Sequence, residues 1–495
     1  MKKRTKRLVA GALTAVSIMG LLGGCGTGGN SSEGGSGSGS SDEDIVLKWY
    51  IRFDDQEDTQ KVEDALNEIV KEKIGCTVDL MNIPRATYND KMSVIIGGRE
   101  ECDIIFTGSG YADFWGNATK GAFLPLNDLL EEYGKETYDA IPEDIWKGVM
   151  IDGEIYGVIN YQIEAKTNGF TIPEAIIEEF NIDVDSLTSL EDIEPYLAEI
   201  HEKYPDMVAI TVNHMDTMPM IGYDEIGTMN SPGAVMIGDD SLTVVNQYET
   251  QEWRDYVDLM RKWYEAGYIQ TDIATATNAS ELQMAGKIAV GFGNVKPGGE
   301  EQESIAWGRP VVQKQITEGR VLPSMVSATM NCISSTSQHP EKAMELLNLV
   351  NTDPEVYNLL CYGIEGEHYN KTGDNRIELV ENSGYQPNVD WAFGNQFNAY
   401  LKGDQPDDVW EQTIALNESS EVSPLLGFAF DQEPVQNQIA QCQSIVDQYQ
   451  KSIVTGSVDP DQYIPEFLDK LEQAGADDII AEKQKQLDEW KASNE

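Results

Sequence analysis

The chain has 495 residues, 40% of them hydrophobic, with 35 Lys and Arg against 85 Asp and Glu for a net charge of −50. That length can bury two or three domains' worth of core, while so acidic a body is repelled by nucleic acid and by anionic membrane surfaces, which argues against roles that need either. The acids are scattered among apolar residues, so the charge reads as a solvated surface and not as a disordered tail.

At the N-terminus, Lys2, Lys3, Arg4, Lys6 and Arg7 lead into an apolar stretch, 8–22, closed by Gly23-Gly24-Cys25. A basic run, a short apolar run and small residues before a cleavage point are the parts of a secretory signal. The apolar stretch makes roughly 22 Å of helix, too short to span a bilayer comfortably. Leu22-Gly23-Gly24-Cys25 resembles the bacterial lipobox, which implies a signal peptide over 1–24 and acylation of Cys25 as the mature N-terminus. Two or more lipid chains then anchor where one alone holds only marginally. Loss of the five basic residues takes the charge from −50 to −55. Residues 26–41 are almost entirely Gly, Ser, Asn and Thr, a flexible coil with a reach of roughly 20–25 Å. Residues 25–44 therefore read as lipidated cysteine and tether, with folded sequence from Ile45.

The folded part opens with alternating elements: a strand at 45–51, a helix at 59–73 with Val62, Leu66, Ile69 and Val70 on one side, and a strand at 76–83 closed by Pro84. A short helix at 88–96 precedes a strand at 103–107 that runs into Gly108-Ser109-Gly110. Such alternation implies an α/β sheet with right-handed parallel crossovers, whose ligands sit at the carboxyl ends of the strands. Loops 52–56 and 108–115 are thus candidate cleft walls. Asp152-Gly153 predicts a hairpin within 150–158. The pattern restarts with a helix at 189–203, a strand at 208–212 and a long helix at 252–267. The aromatic stripe of that helix (Trp253, Tyr256, Trp263, Tyr264) reads as core. A strand ending at 290, a loop over 291–299, an extended stretch at 324–334 and a helix from Pro340 follow. The C-terminal third is mostly helical: one helix carries Ile439, Cys442, Val446, Tyr449 and Ile453, a second ends at Gly475, and the last carries Ile479, Ile480, Lys483, Leu487 and Trp490.

Catalytic constellations are missing from the pattern. His201, His214, His339 and His368 have no paired spacing for zinc. Gly291-Phe292-Gly293 is followed by Lys296 where a dinucleotide fingerprint needs glycine, and no phosphate loop occurs. No cofactor or metal is expected. Besides Cys25, the cysteines (76, 102, 332, 361 and 442) are odd in number and dispersed, the pattern of small buried hydrophobes and not of a disulfide framework. With 85 carboxylates a chance pair is always available, so a secreted two-carboxylate glycoside hydrolase stands as the enzyme alternative.

Several phrases carry a family resemblance: "GAFLPLNDLLEEYG" at 121–134, "IDGEIYGV" at 151–158, "QHPEKAMELLNLVNTDPEVYNLLCYGIEGEHY" at 338–369, "SPLLGFAFD" at 423–431 and the closing "AGADDIIAEKQKQLDEW". In order and spacing they resemble the family 1 extracellular solute-binding proteins of ABC importers, which include maltose-binding protein. The similarity is greatest to LipO-like lipoproteins with an additional C-terminal domain of unassigned role. The resemblance implies a two-lobe, type II, periplasmic-binding-protein-like α/β fold with a mostly helical C-terminal region. It implies a non-enzymatic monomer on the outer face of the cell membrane of a Gram-positive bacterium, capturing a carbohydrate, expected to be an oligosaccharide, for an ABC permease. On this reading lobe one takes 45–163 plus 325–372 and lobe two 164–324 plus 373–495, with the hinge near 163, 324 and 372.

Sugars are held by aromatic stacking plus planar polar groups. Candidates at strand ends are Phe53, Asp54, Ser109, Tyr111 and Trp115; at the hinge, Tyr161 and Gln162; in the 291–310 stretch, Trp307. Glu365, His368 and Tyr369 share a glycine-bearing loop, and Trp391, Phe393 and Asn395 an aromatic one. Packing within loop or core competes with ligand contact at each, and for His368 a contact with a carboxylate does. A peptide or other non-sugar solute is the alternative cargo, with Asp54, Glu164 or Glu365 meeting a cationic group.

Overall fold

The computed structural model describes residues 45–212, 217–239 and 241–494. Cys25, the tether and His214 lie outside them. The first sheet has the order Thr77–Asn82, Val46–Ile51, Ile104–Thr107, Met330–Ile333, Val158–Ile159. Its first three strands pair parallel, as strand–helix–strand crossovers require, and the last two join antiparallel. The helix Thr59–Ile74 buries Val62, Leu66 and Val70 against this sheet and stops at Gly75, whose φ of 73° suits glycine. Met150–Ile151 and Glu154–Ile155 form the expected hairpin, with Asp152 and Gly153 both left-handed.

The second sheet has the order Val311–Gln315, Asn168–Pro173, Ile288–Asn294, Val208–Val212. A separate core forms around it. The helix Gln251–Glu265 buries Trp253, Tyr256, Val257, Met260 and Trp263 there, so its aromatic stripe is core except at Tyr264, which is half-buried with its hydroxyl donating to the Thr271 carbonyl at 2.8 Å. The helices Gln436–Val454 and Pro460–Ala474 pack into the same core through Ile439, Cys442, Val446, Phe467 and Leu471. Between the two sheets, Ala165–Lys166 pairs with Arg320–Val321, which pairs with Glu421–Val422 in a small connecting ribbon. Cys76, Cys102, Cys332, Cys361 and Cys442 are buried and unbridged.

Three expectations change. The strand Ile288–Asn294 runs through the predicted 291–299 loop. Its glycine is a close approach and not a turn, because a Cβ on Gly291 would lie 2.9 Å from the Trp307 ring. The stretch 324–334 is not extended throughout: Pro323–Val326 is a short helix with proline at its first turn, and only Met330–Ile333 is strand. The segment after 372 does not pack wholly with the second core, because Tyr385, Val389, Ala392, Phe393 and Ala399 are buried in the first.

Candidate functional site

The chain leaves the first sheet at Ile159, and residues 160–166 cross toward the second. A buried amide ladder fixes this crossing. Trp49 Nε1 donates to Asn331 Oδ1 (2.9 Å), Asn331 Nδ2 donates to Asn160 Oδ1 (2.9 Å), and Asn160 Nδ2 donates to the Ala392 carbonyl (2.9 Å). Asn160 and Asn331 are both 1% exposed, so each amide group must be satisfied internally. The ladder thereby sets the backbone next to Trp391, whose carbonyl also accepts from Thr329 Oγ1 at 3.2 Å. Thr329 Oγ1 in turn accepts from Gln162 Nε2 at 3.0 Å. From the other side, Asn417 Oδ1 accepts from the Glu164 and Ala165 N–H groups (2.9 and 3.1 Å), and its Nδ2 donates to the Gln162 carbonyl (2.7 Å).

This braced crossing is the floor of a cleft of about 720 Å³. Gln162 and Ile163 line the floor. One wall is Lys296, Gln302 and Ile305, in and just before the helix Gly299–Trp307. The other carries Leu379, Asn388, Trp391 and Gln396, with Trp410 from the helix Val409–Ser419. A neighbouring hollow of about 300 Å³ shares Ile163, Lys296 and Gln302. Cavities of several hundred cubic ångströms suit small-molecule capture. Trp391 and Trp410 are half-buried, and Trp410 Nε1 is already committed to the Ala399 carbonyl at 2.9 Å. Its ring is thus fixed in orientation. Asp390 on the same wall pairs with Lys402 at 3.4 Å.

The predicted residues divide. Gln162 and Trp391 line the cleft. Asn395 adjoins it, half-buried, its Oδ1 accepting from the Phe397 N–H at 3.0 Å. Tyr111 and Trp115 are half-buried on the loop after Ile104–Thr107, and Ser109 beside them is exposed. Phe53 is fully enclosed against Tyr385, and Phe393 packs edge-on to Trp49. Tyr161 is 4% exposed and packs on Phe397. Trp307 is 2% exposed, its Nε1 donating to Glu303 at 3.1 Å. His368 is 1% exposed: Nδ1 accepts from the Ile364 N–H at 2.8 Å and Nε2 faces Asp58 at 3.1 Å. This makes it a structural histidine, paired with an aspartate. Tyr369 packs on Tyr400.

The acids named for a cationic solute have other surroundings. Asp54 lies 4.0 Å from Arg85 and Glu365 lies 3.4 Å from Lys371. Glu164 is 1% exposed, and burial pushes its carboxyl well above the usual range, offset only by a long hydrogen bond from the Gln162 N–H (3.4 Å). Among the described residues no group of three or more His, Cys, Asp or Glu is placed to hold a metal ion. Sequence reasoning missed Trp410, which sits in a helix whose buried side carries the polar Thr413 and Asn417, and Lys296, Gln302, Asn388 and Gln396, polar loop or helix residues with no periodic signal.

Comparison with known proteins places these features. A domain of unknown function, DUF3502, matches residues 424–492. A carbohydrate ABC transporter substrate-binding protein of Streptococcus pneumoniae is 31% identical over 489 residues, covering 97% of this chain and 98% of the relative. Lipoprotein LipO of Bacillus subtilis is 24% identical over 52% of this chain and 50% of its own length. Among solved structures, the N-glycan transport solute-binding protein NgtS of S. pneumoniae superposes with a TM-score of 0.82 at 30% identity, covering 91% of this chain and 100% of that one. The same relative in complex with Man1GlcNAc and with Man5GlcNAc superposes at 0.69 and 0.66, each at 31% identity, covering 90% and 91% of this chain and 99% of each complex.

Proposed function

Because the chain belongs to the substrate-binding proteins of carbohydrate ABC transporters, we propose that its cargo is an oligosaccharide built of mannose and N-acetylglucosamine, held in the cleft beneath Trp391 and Trp410. As a member of that family it is a non-enzymatic transport component that works with membrane permeases. The observation that carries the cargo reading is the full-length likeness to a protein solved with Man1GlcNAc and Man5GlcNAc. The cleft chemistry supports it. Two half-buried indoles offer apolar faces for pyranose rings, and Gln162, Gln302, Asn388 and Gln396 offer paired donors and acceptors for hydroxyls.

Identity to the three structures of that relative is nearly constant while the TM-scores differ, so the relative takes more than one shape. The higher score against the structure named without a glycan supports reading the present cleft as an open form. Solute would shift the population toward closure in proportion to its preference for the closed state. The protein acts outside the cell at the membrane surface, as its lipoprotein relatives do. For the attachment itself we assign the thioether-linked lipid to Cys25, with 25–44 as tether. The lobe division at 163, 324 and 372, moved to admit 385–399 to lobe one, is likewise our assignment.

The test is calorimetry and thermal shift of the mature chain with Man1GlcNAc and Man5GlcNAc. Ligand at a hundredfold over Kd stabilises the native state by about 2.7 kcal/mol. Trp391→Ala is expected to weaken binding by about 10-fold or more with little change in the melting temperature of the free protein. Absence of any shift with either glycan would overturn the cargo reading.

A further inference from the structure

Arg52 follows the strand Val46–Ile51 at the carboxyl edge of the first sheet, where α/β folds place ligands. Its guanidinium lies 4.6 Å from the centroid of the Tyr111 ring. Six other described arginines, Arg85, Arg254, Arg261, Arg309, Arg320 and Arg376, donate to carbonyls or carboxylates, and Arg99 is exposed to water. Arg52 is half-buried and, among the described residues, meets no acceptor. In a chain with 85 carboxylates, a half-buried guanidinium whose N–H fork faces solvent and meets no protein oxygen is an unused recognition element.

The ring beneath it is rigidly presented. Thr107 Oγ1 donates to the Tyr111 carbonyl at 2.8 Å, the Ala112 N–H donates to Asn89 Oδ1 at 3.1 Å, and Asn117 Nδ2 donates to the Ala112 carbonyl at 2.6 Å. These bonds hold Ala112 and Asp113 in the left-handed region (φ 49° and 43°), a strained arrangement that persists only where its surroundings fix it. Tyr111 is also the outer end of an aromatic row. Its ring lies 5.5 Å from Phe106, which lies 5.9 Å from Trp391 in the cleft.

We infer that Arg52, stacked on Tyr111, is a specificity-determining residue of an outer subsite, donating paired hydrogen bonds to two adjacent oxygens of a sugar unit beyond the one over Trp391. The pair is either vicinal hydroxyls of a neutral sugar or the carboxylate of a uronic acid, both of which match a planar fork. The inference rests on the glycan-binding reading and extends it. A cleft residue alone would not discriminate glycans by length; an outer subsite does.

The experiment is calorimetry of the mature wild-type chain, Arg52→Met and Arg52→Lys with Man1GlcNAc, Man5GlcNAc and an oligogalacturonide, with free-protein melting temperatures as the folding control. We expect Arg52→Met to weaken Man5GlcNAc by about 10–100-fold and Man1GlcNAc by less than about 3-fold, with partial recovery in Arg52→Lys. A wild type that prefers the oligogalacturonide, with that preference lost in Arg52→Met, supports the fork and assigns the oxygens to a carboxylate. Unchanged Man5GlcNAc affinity in Arg52→Met, or equal loss for both glycans, overturns the subsite while leaving the glycan-binding reading intact. A wild type that binds none of the three overturns both.

Discussion

Lys483 and Arg52 are two cations of the same acidic chain, one fully buried and one half-buried, and the fold treats them in opposite ways. Lys483, on the C-terminal helix Ala476–Asn494, is 0% exposed. Its Nζ donates to Ser231 Oγ (2.7 Å) and the carbonyls of Pro232 (2.7 Å) and Gly233 (3.1 Å), with the Ser231 carbonyl at 3.4 Å. Gly233 is left-handed (φ 110°), and a Cβ there would lie 2.6 Å from Lys483 Cδ, so the loop is shaped around the lysine. Burial lowers the Lys483 pKa to about 7, against the pull of Glu225 toward the charged form. Arg52, at the carboxyl edge of the first sheet, has a ring beneath it and no oxygen. A buried cation whose every donor is met within the chain is a structural rivet, and here it fastens the DUF3502 segment to the 231–233 loop. A half-buried cation left without acceptors is an opening for something else.

The sharpest way to break that comparison is to remove both heads. Lys483→Met leaves the Ser231 Oγ and the Pro232 carbonyl without a donor, since the Gly233 carbonyl keeps the Ile226 N–H, and is expected to cost about 2–4 kcal/mol in urea unfolding. Arg52→Met removes no internal hydrogen bond and should stay within about 0.5 kcal/mol of wild type. Similar losses in the two variants would refute the distinction between rivet and recognition element. The pH dependence of Lys483 has a fixed sign. Its folded pKa lies below the unfolded value of 10.5, so the unfolded state binds more protons between about 7 and 10.5, and this group makes stability rise with pH across that window. The variant should lose that slope.

Asn417 stands between the two extremes, buried like Lys483 yet bonded to the crossing segment beneath the cleft. Asn417→Ala strands the N–H groups of Glu164 and Ala165 and the Gln162 carbonyl. The expected cost is about 2–3 kcal/mol in denaturant. Because Gln162 and Ile163 also floor the cleft, glycan affinity should fall with stability. Loss of stability at unchanged affinity would detach the crossing segment from the site.

How far these roles could be read from the sequence follows from what each signal reports. Periodicity found the helix Thr59–Ile74 and the three parallel strands because their buried faces repeat along the chain. It also put Lys483 on the apolar side of the last helix, without showing the carbonyls that make burial tolerable. It failed at Gly291, where glycine marks the approach of the Trp307 ring from another element. In the site, a strand-end position says that a side chain is near the ligand edge but not which way it turns. Hence Tyr111 stays half-buried at the surface while Phe53, from an equivalent loop, is enclosed by Tyr385. Arg52 falls within the 52–56 wall without being singled out, because a lone arginine has no pattern; only the absence of an acceptor in three dimensions marks it.

The smallest expected effect tests the floor of the cleft. Glu164 Oε2 is buried without a partner, and desolvation holds its carboxyl well above the ordinary range. A protonated carboxyl can be exchanged for the isosteric amide with its hydrogen bonding kept, since Gln keeps one acceptor for the Gln162 N–H and one donor where the acid proton sat. At a pH low enough for Glu164 to be protonated in both the folded and the unfolded chain, Glu164→Gln should therefore shift stability by less than about 0.5 kcal/mol. The sign with pH follows from the raised folded value: the wild-type contribution is complete below the unfolded pKa and is lost as pH rises through the folded one. Stability of wild type relative to Glu164→Gln, followed by urea unfolding from pH 5 upward, should thus decline as pH rises. A flat difference would mean that the crossing segment carries an ionised acid, and that the floor beneath the solute is charged and not neutral.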